Sequence, residues 1–210
     1  MLICLRQQAG SSLVEMMIAM VLGLSSLSAL CSFVGYGVGM NARLLTSSRL
    51  NEEVKVISAL MSTDIARAGF DGLTSQRVSD PGESVRPFVD SVALSAYPGE
   101  SPNSCITFAY DRNHNGLLDT LNGNENYGYR LHDHAIEMRV DGATCDSGGW
   151  HDLTDSQVVR ITSLQFTLHK QQAGMVTQSR VDLLLVGSLV KDSDISRQVN
   201  IRFAVNNYDL

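Results

Sequence analysis

Hydrophobic and polar residues divide the chain into stretches with different rhythms. From Met16 to Ala42 no charged side chain occurs. At ~1.5 Å per helical residue such a run reaches roughly 40 Å, more than the ~30 Å hydrocarbon core of a bilayer, and so predicts a membrane-spanning helix. From Leu50 the rhythm changes. Leu50, Val54, Ile57, Met61, Ile65 and Ala68 recur at steps of three and four, with Asn51, Glu52, Lys55 and Arg67 on the other side. This is the stripe of an amphipathic helix continuing the first. Gly35, Gly37 and Gly39 cluster near the junction, where they either let the helix bend or mark close helix packing in a membrane. Gly69 is placed to cap the C-terminus.

The rest of the chain has a strand rhythm. Residues 73–103 read as loop with one short strand in VDSVALSAY, bracketed by Pro81, Pro87, Pro98 and Pro102. Then come CITFAY (105–110), YGYRL (127–131), AIEMRV (135–140) and the longer runs 157–170, 179–190 and 197–205, rich in β-branched and aromatic residues. They predict one mostly antiparallel sheet, with 179–190 as a buried central strand and the amphipathic half-helix covering the apolar face. The fold class is α+β: a long N-terminal helix, half transmembrane and half amphipathic, packed on a mostly antiparallel β-sheet.

One acid interrupts the apolar run. An ionised Glu15 among lipid-soluble side chains costs up to ~3 kcal/mol at mid-membrane and needs a partner. A cut after Gly10 would supply one, because the new amine of Ser11 would lie about one helical turn from the Glu15 carboxylate, in this subunit or a neighbour. The run is too long for a secretory signal, whose apolar region is ~7 to 15 residues. A lipoprotein signal at Cys31 would want a small residue where Leu30 stands.

Gly10, the acid at the fifth position after it and the charge-free helix resemble a type IV prepilin leader and cleavage site, with Ser11 where the family usually has Phe. The phrase DIARAGF (64–70) resembles the end of the long helix in minor pilins of the PilW type. The resemblance implies a pilin-like plan: leader 1–10, removed; hydrophobic half-helix 11–42; amphipathic half 43–70; and a β-rich domain 71–210. It also implies a subunit inserted in the inner membrane with its C-terminal domain periplasmic, cut by prepilin peptidase, and packed with other minor and major pilins in a filament, in a priming or tip complex. Glu15 would set register by pairing with a neighbour's amine. A type II secretion minor pseudopilin shares these features. An anchored periplasmic binding or enzymatic module is the reading from a different class.

Charge and cysteines narrow the functions. A net charge of -6 and a pI near 5.3 argue against capture of nucleic acid, which needs clustered Lys and Arg. Cys4 and Cys31 fall in the leader and the apolar run, whereas Cys105 and Cys145 lie downstream, where export would bring them to an oxidising compartment and a disulfide. No G-x-S-x-G, H-E-x-x-H or phosphate-binding glycine loop occurs, so no enzyme activity is expected. His132 and His134 would share one face of an extended segment, where facing solvent is the expectation and gripping a metal the alternative. Trp150 is expected as a turn aromatic packed on the sheet, with an exposed binding aromatic as the alternative.

One loop carries candidate chemistry. In DRNHNGLLD, Asp111, Asn113, Asn115 and Asp119 stand at the first, third, fifth and ninth positions, Gly116 at the sixth, and Leu117 at the seventh would offer its carbonyl. That is the order of an EF-hand-type calcium loop, although Asn122 replaces the twelfth-position Glu and Glu125 would have to swing in. Two readings stay open: a calcium site, or a polar hairpin loop whose Asn, Asp and Gly favour turns unaided. Cys105 and Cys145 bracket the same region, either to present a contact surface or simply to staple an insertion.

Overall fold

The computed structural model describes residues 12–79, 86–121, 123–173 and 176–209. Gly10 and Ser11, the expected cleavage site, lie outside the described residues, as does Asn122. The chain divides into two units, Met1–Ser47 and Ser48–Leu210.

Helix α1 (Leu13–Ile65) runs unbroken through Gly35, Gly37 and Gly39, so the glycine cluster does not melt it into a loop. Every residue from Ser12 to Thr46 is exposed. The second part is amphipathic as predicted: Leu50, Val54, Ile57, Met61 and Ile65, with Ala68 just beyond, are all buried in the core of the second unit. The helix stops at Ile65, four residues before the expected cap. Residues 66–69 continue as turns, and Gly69 takes a φ of 80° that favours glycine. Its N–H then donates to the Ala109 carbonyl (2.9 Å), and the Asp111 N–H donates to the Phe70 carbonyl (2.9 Å). The helix end is thereby laid along the first long strand of the domain.

A short helix α2 (Thr74–Ser79) follows, where the sequence had read as loop. The strands are β1 (Ala93–Ser95), β2 (Cys105–Ala109), β3 (Asn126–His132), β4 (Ala135–Arg139), β5 (Trp150–Asp152), β6 (Val159–Ala173), β7 (Val176–Leu189) and β8 (Ser196–Asp209). All pair antiparallel, in two sheets and not the single one expected: β1-β2-β3-β4-β5 and β6-β7-β8. The split has a local cause. β5, too short to register as a strand in the sequence, occupies the second edge of β4, so β6 begins a new sheet. The Ile161 N–H still reaches the His134 carbonyl (2.9 Å) and the Phe166 N–H the Asn103 carbonyl (2.9 Å). β7 is the central strand of its sheet, as its apolar run predicted, with Val181, Leu183 and Leu185 buried beneath the helix stripe.

Candidate functional site

Three features stand apart from ordinary packing. The first is the N-terminal part of α1. It is long and apolar enough to cross a membrane, with a mean hydropathy of 2.1 over its most apolar window, and none of that window is buried. Apolar side chains such as Met20, Leu24, Leu27 and Phe33 are left more than half exposed, an arrangement that water does not tolerate over such an area. Glu15 sits in the first turn. A carboxylate there is also favoured by the unpaired N–H groups of the helix start. The free Cys31 is exposed on the same segment.

The second feature is the loop between β2 and β3. The antiparallel pairing of these strands brings Asp111 and Glu125 together at its base, and both are only 1% exposed. Asp111 Oδ2 accepts from the N–H groups of Gly72 (3.0 Å) and Gly116 (2.7 Å), and its Oδ1 from Asn115 N–H (3.2 Å). Glu125 Oε1 accepts from the N–H of Arg112 (2.7 Å) and Oε2 from that of Asp119 (3.2 Å). Asp119 Oδ2 takes the side-chain amides of Asn113 (2.7 Å) and Asn115 (3.0 Å), while Asn113 and Asn115 close turns on the N–H groups two residues ahead. The Gly116 carbonyl accepts from Arg77 (2.7 Å), which is itself paired with Asp71 at 2.8 Å. Gly116 is required, since its φ is 70° and a Cβ there would stand 2.4 Å from Leu73 Cδ1.

This arrangement bears on calcium. The ion asks for six to eight oxygens. Here the carboxylates of Asp111, Asp119 and Glu125 are spent on N–H donors. Among the described residues no group of three or more His, Cys, Asp and Glu side chains gathers where it could hold a metal ion. Leu117, expected to contribute only its carbonyl, is 62% exposed. Glu125 has swung in, and here it ties the backbone, so a calcium ion would have to draw these carboxylates away from the N–H groups they serve.

The third feature is the loop between β4 and β5, beside the second: Asn124 lies against Gly142. Cys145 in this loop is joined by a disulfide to Cys105 of β2. Arg130, on β3, is 3% exposed and lies between the rings of Tyr97 (4.9 Å) and Trp150 (4.5 Å). Its Nε donates to Glu137 Oε2 (2.5 Å), and its Nη1 to the carbonyls of Cys145 (2.8 Å) and Ser147 (2.7 Å). Arg139 donates to the carbonyls of Gly142 (2.8 Å) and Ala143 (2.6 Å), and its partial burial pulls its pKa down. Trp150 Nε1 donates to the Thr144 carbonyl (3.0 Å).

The expectation for the histidines is corrected here. Asp133 and His134 take positive φ in a tight turn, so His132 and His134 do not line an extended face. His132 Nδ1 lies 3.0 Å from Glu137 Oε1, and its ring packs on Tyr97 at 4.0 Å. Trp150 packs against Arg130 of the sheet as expected, but from strand β5 and not from a turn. Sequence reading missed the role of Arg130. The available signal was an Arg on β3 and a Glu on β4 at positions that hairpin pairing sets directly opposite.

The comparisons with known proteins agree with these features. The family described as prepilin peptidase-dependent protein B matches residues 43–205, and the prokaryotic N-terminal methylation motif matches residues 5–30. An uncharacterized protein of Haemophilus influenzae is 23% identical over 196 residues, covering 75% of this chain and 79% of the relative. No solved structure matches. With an apolar, wholly exposed half-helix, a methylation motif over it, and a family match that spans the amphipathic helix and both sheets, the chain belongs to the prepilin peptidase-dependent protein B family, and is a type IV pilin-like minor pilin or pseudopilin.

Proposed function

We propose that this chain is a minor pilin subunit of a type IV pilus, acting in a priming or tip complex in pilus biogenesis and through it in motility and adhesion. The observation that carries the reading is the exposed apolar half-helix with a lone acid, Glu15, in its first turn. Prepilin peptidase cuts after Gly10 and frees the Ser11 amine. The helix holds the subunit in the inner membrane until it packs among those of other minor and major pilins. Glu15 pairs with a neighbour's amine, because an unpaired charge among apolar helices is heavily disfavoured and the pair fixes the axial register. The β-rich domain faces the periplasm and then the exterior, a placement supported by the disulfide between Cys105 and Cys145. The role is mechanical, not enzymatic.

Intact-mass measurement of membrane-extracted protein tests the first step: mature material should begin at Ser11, and material still beginning at Met1 overturns the filament reading. Glu15→Ala should still be processed yet be absent from sheared filaments. Normal incorporation of that variant removes the proposed role of Glu15. Recovery with a secretion pseudopilus, and not with pili, would assign the subunit to a type II secretion system.

A further inference from the structure

Cys105 and Arg130 face each other in the β2–β3 register, which puts their side chains on one face of the sheet. From there the guanidinium grips the backbone of the other cysteine, by its bond to the Cys145 carbonyl, and of the residue two further on, Ser147. The ion pair with Glu137 and the stacking of Tyr97 and Trp150 fix the plane of the guanidinium. Nothing in this set of contacts uses a sulfur atom. None of them is made by the bond itself, and they hold the backbone of Cys145 on the face of the sheet that carries Cys105.

We infer that Arg130 is the positioning residue for the Cys105–Cys145 disulfide: it docks the loop between β4 and β5 before the bond forms and holds the two thiols within reach. The chemistry is ordinary exchange with a disulfide oxidant. One cysteine thiolate attacks a sulfur of the oxidant and expels the first thiolate. The second cysteine thiolate then attacks the mixed disulfide at the protein sulfur, closing the Cys105–Cys145 bond and expelling the second thiolate. Two electrons pass to the oxidant, and the two cysteine thiol protons leave with them. Arg130 takes no part in these steps. It raises the effective concentration of one thiol at the other. A guanidinium bonding two carbonyls is suited to this, since its planar fork loses little freedom per bond, and Lys cannot stack and bond in the same way.

The test is a redox titration of the full-length protein in detergent against reduced and oxidised glutathione, with the melting temperature measured alongside. Arg130→Lys keeps the charge opposite Glu137. The double variant Arg130→Met with Glu137→Leu removes both charges, so that neither is left buried and alone. Both should lower the effective concentration of the cysteine pair by about tenfold or more, the scale expected for losing charge-assisted bonds. Wild-type effective concentration in both, even with a lower melting temperature, overturns the proposal and leaves Arg130 a structural residue. A second measurement does not depend on those variants folding. In Cys105→Ser with Cys145→Ser, amide exchange at Ala143 and Ser147, whose N–H groups bond Val140 and Thr144 within the loop, should stay within about tenfold of the intact protein. Exchange at the rate of an unfolded chain would show that the arginine cannot hold the loop without the bond, and would equally overturn the inference.

Discussion

Tyr129 shows how a single side chain ties the helix to the sheet. Its ring is buried under α1, and its hydroxyl donates to Asp64 Oδ2 at 2.7 Å. Burial, and then the bond to Asp64, push the phenol well above its ordinary value. Tyr129→Phe should therefore cost about 1 to 2 kcal/mol, read as a fall in melting temperature, because it leaves a half-buried carboxylate short of a donor. The pH dependence has a definite sign. The folded value lies above the unfolded value of about 10, so the contribution is whole below that pH and is lost as pH climbs past it. Stability should fall steeply above about pH 10, and less steeply in Tyr129→Phe. Absorbance at the phenolate band should show this phenol ionising only as the fold opens. Such pairings were not legible in the sequence. Asp64 lies on the predicted helix and Tyr129 on a predicted strand, but periodicity tells which face a residue occupies and not which partner it meets. The same limit hid the reach of Arg130 to the Cys145 carbonyl, although Arg130 stood in a strand correctly read and the Cys105–Cys145 bridge was expected.

At the scale of elements, the loop between β2 and β3 is held from inside by two buried carboxylates and from outside by Arg77. Asp111 alone satisfies three backbone N–H groups. Asp111→Ala should cost about 3 kcal/mol or more, since each buried donor left unpaired costs ~1 to 3 kcal/mol, and amide exchange at Gly72, Asn115 and Gly116 should accelerate together. Because these oxygens are already committed, melting of the full-length protein in detergent should be the same in millimolar calcium and in chelator. A rise of several degrees with calcium would mean that the carboxylates release the backbone to take the ion. The sequence fitted both the metal loop and the plain turn because the two use the same residues. Asx turns and calcium loops both want Asn and Asp at alternate positions with a glycine after them, and only the direction of the carboxylates separates them. The helical stripe from Leu50 to Ala68 was legible for the opposite reason: six apolar residues on one period admit one burial pattern. The two-sheet division was not, because it depends on β5, a strand of three residues with no periodicity to detect.

The whole molecule assigns insertion to one stretch and folding to another. Residues from Leu13 to Thr46 contribute no buried side chain, while the core of the second unit begins at Leu50. A charge placed in the first stretch should thus leave the domain's stability alone and act on insertion only. Leu27→Lys is the sharp case. Leu27 is 57% exposed and lies near the middle of the uncharged run, where a lysine costs ~2.5 to 3.5 kcal/mol on insertion scales. The variant should melt within about a degree of the parent in detergent yet be depleted from the membrane fraction and from filaments. Leu183→Lys, at a core position 1% exposed, should do the reverse at the level of folding and unfold the domain outright. If Leu27→Lys instead lowers the melting temperature as much as a core substitution, the exposed half-helix has a packing partner within the subunit. Its apolar surface would then no longer argue for membrane or filament. That comparison separates the two explanations for an apolar helix, because a core helix and an assembly helix have the same hydropathy and differ only in what their removal from an apolar environment destabilises.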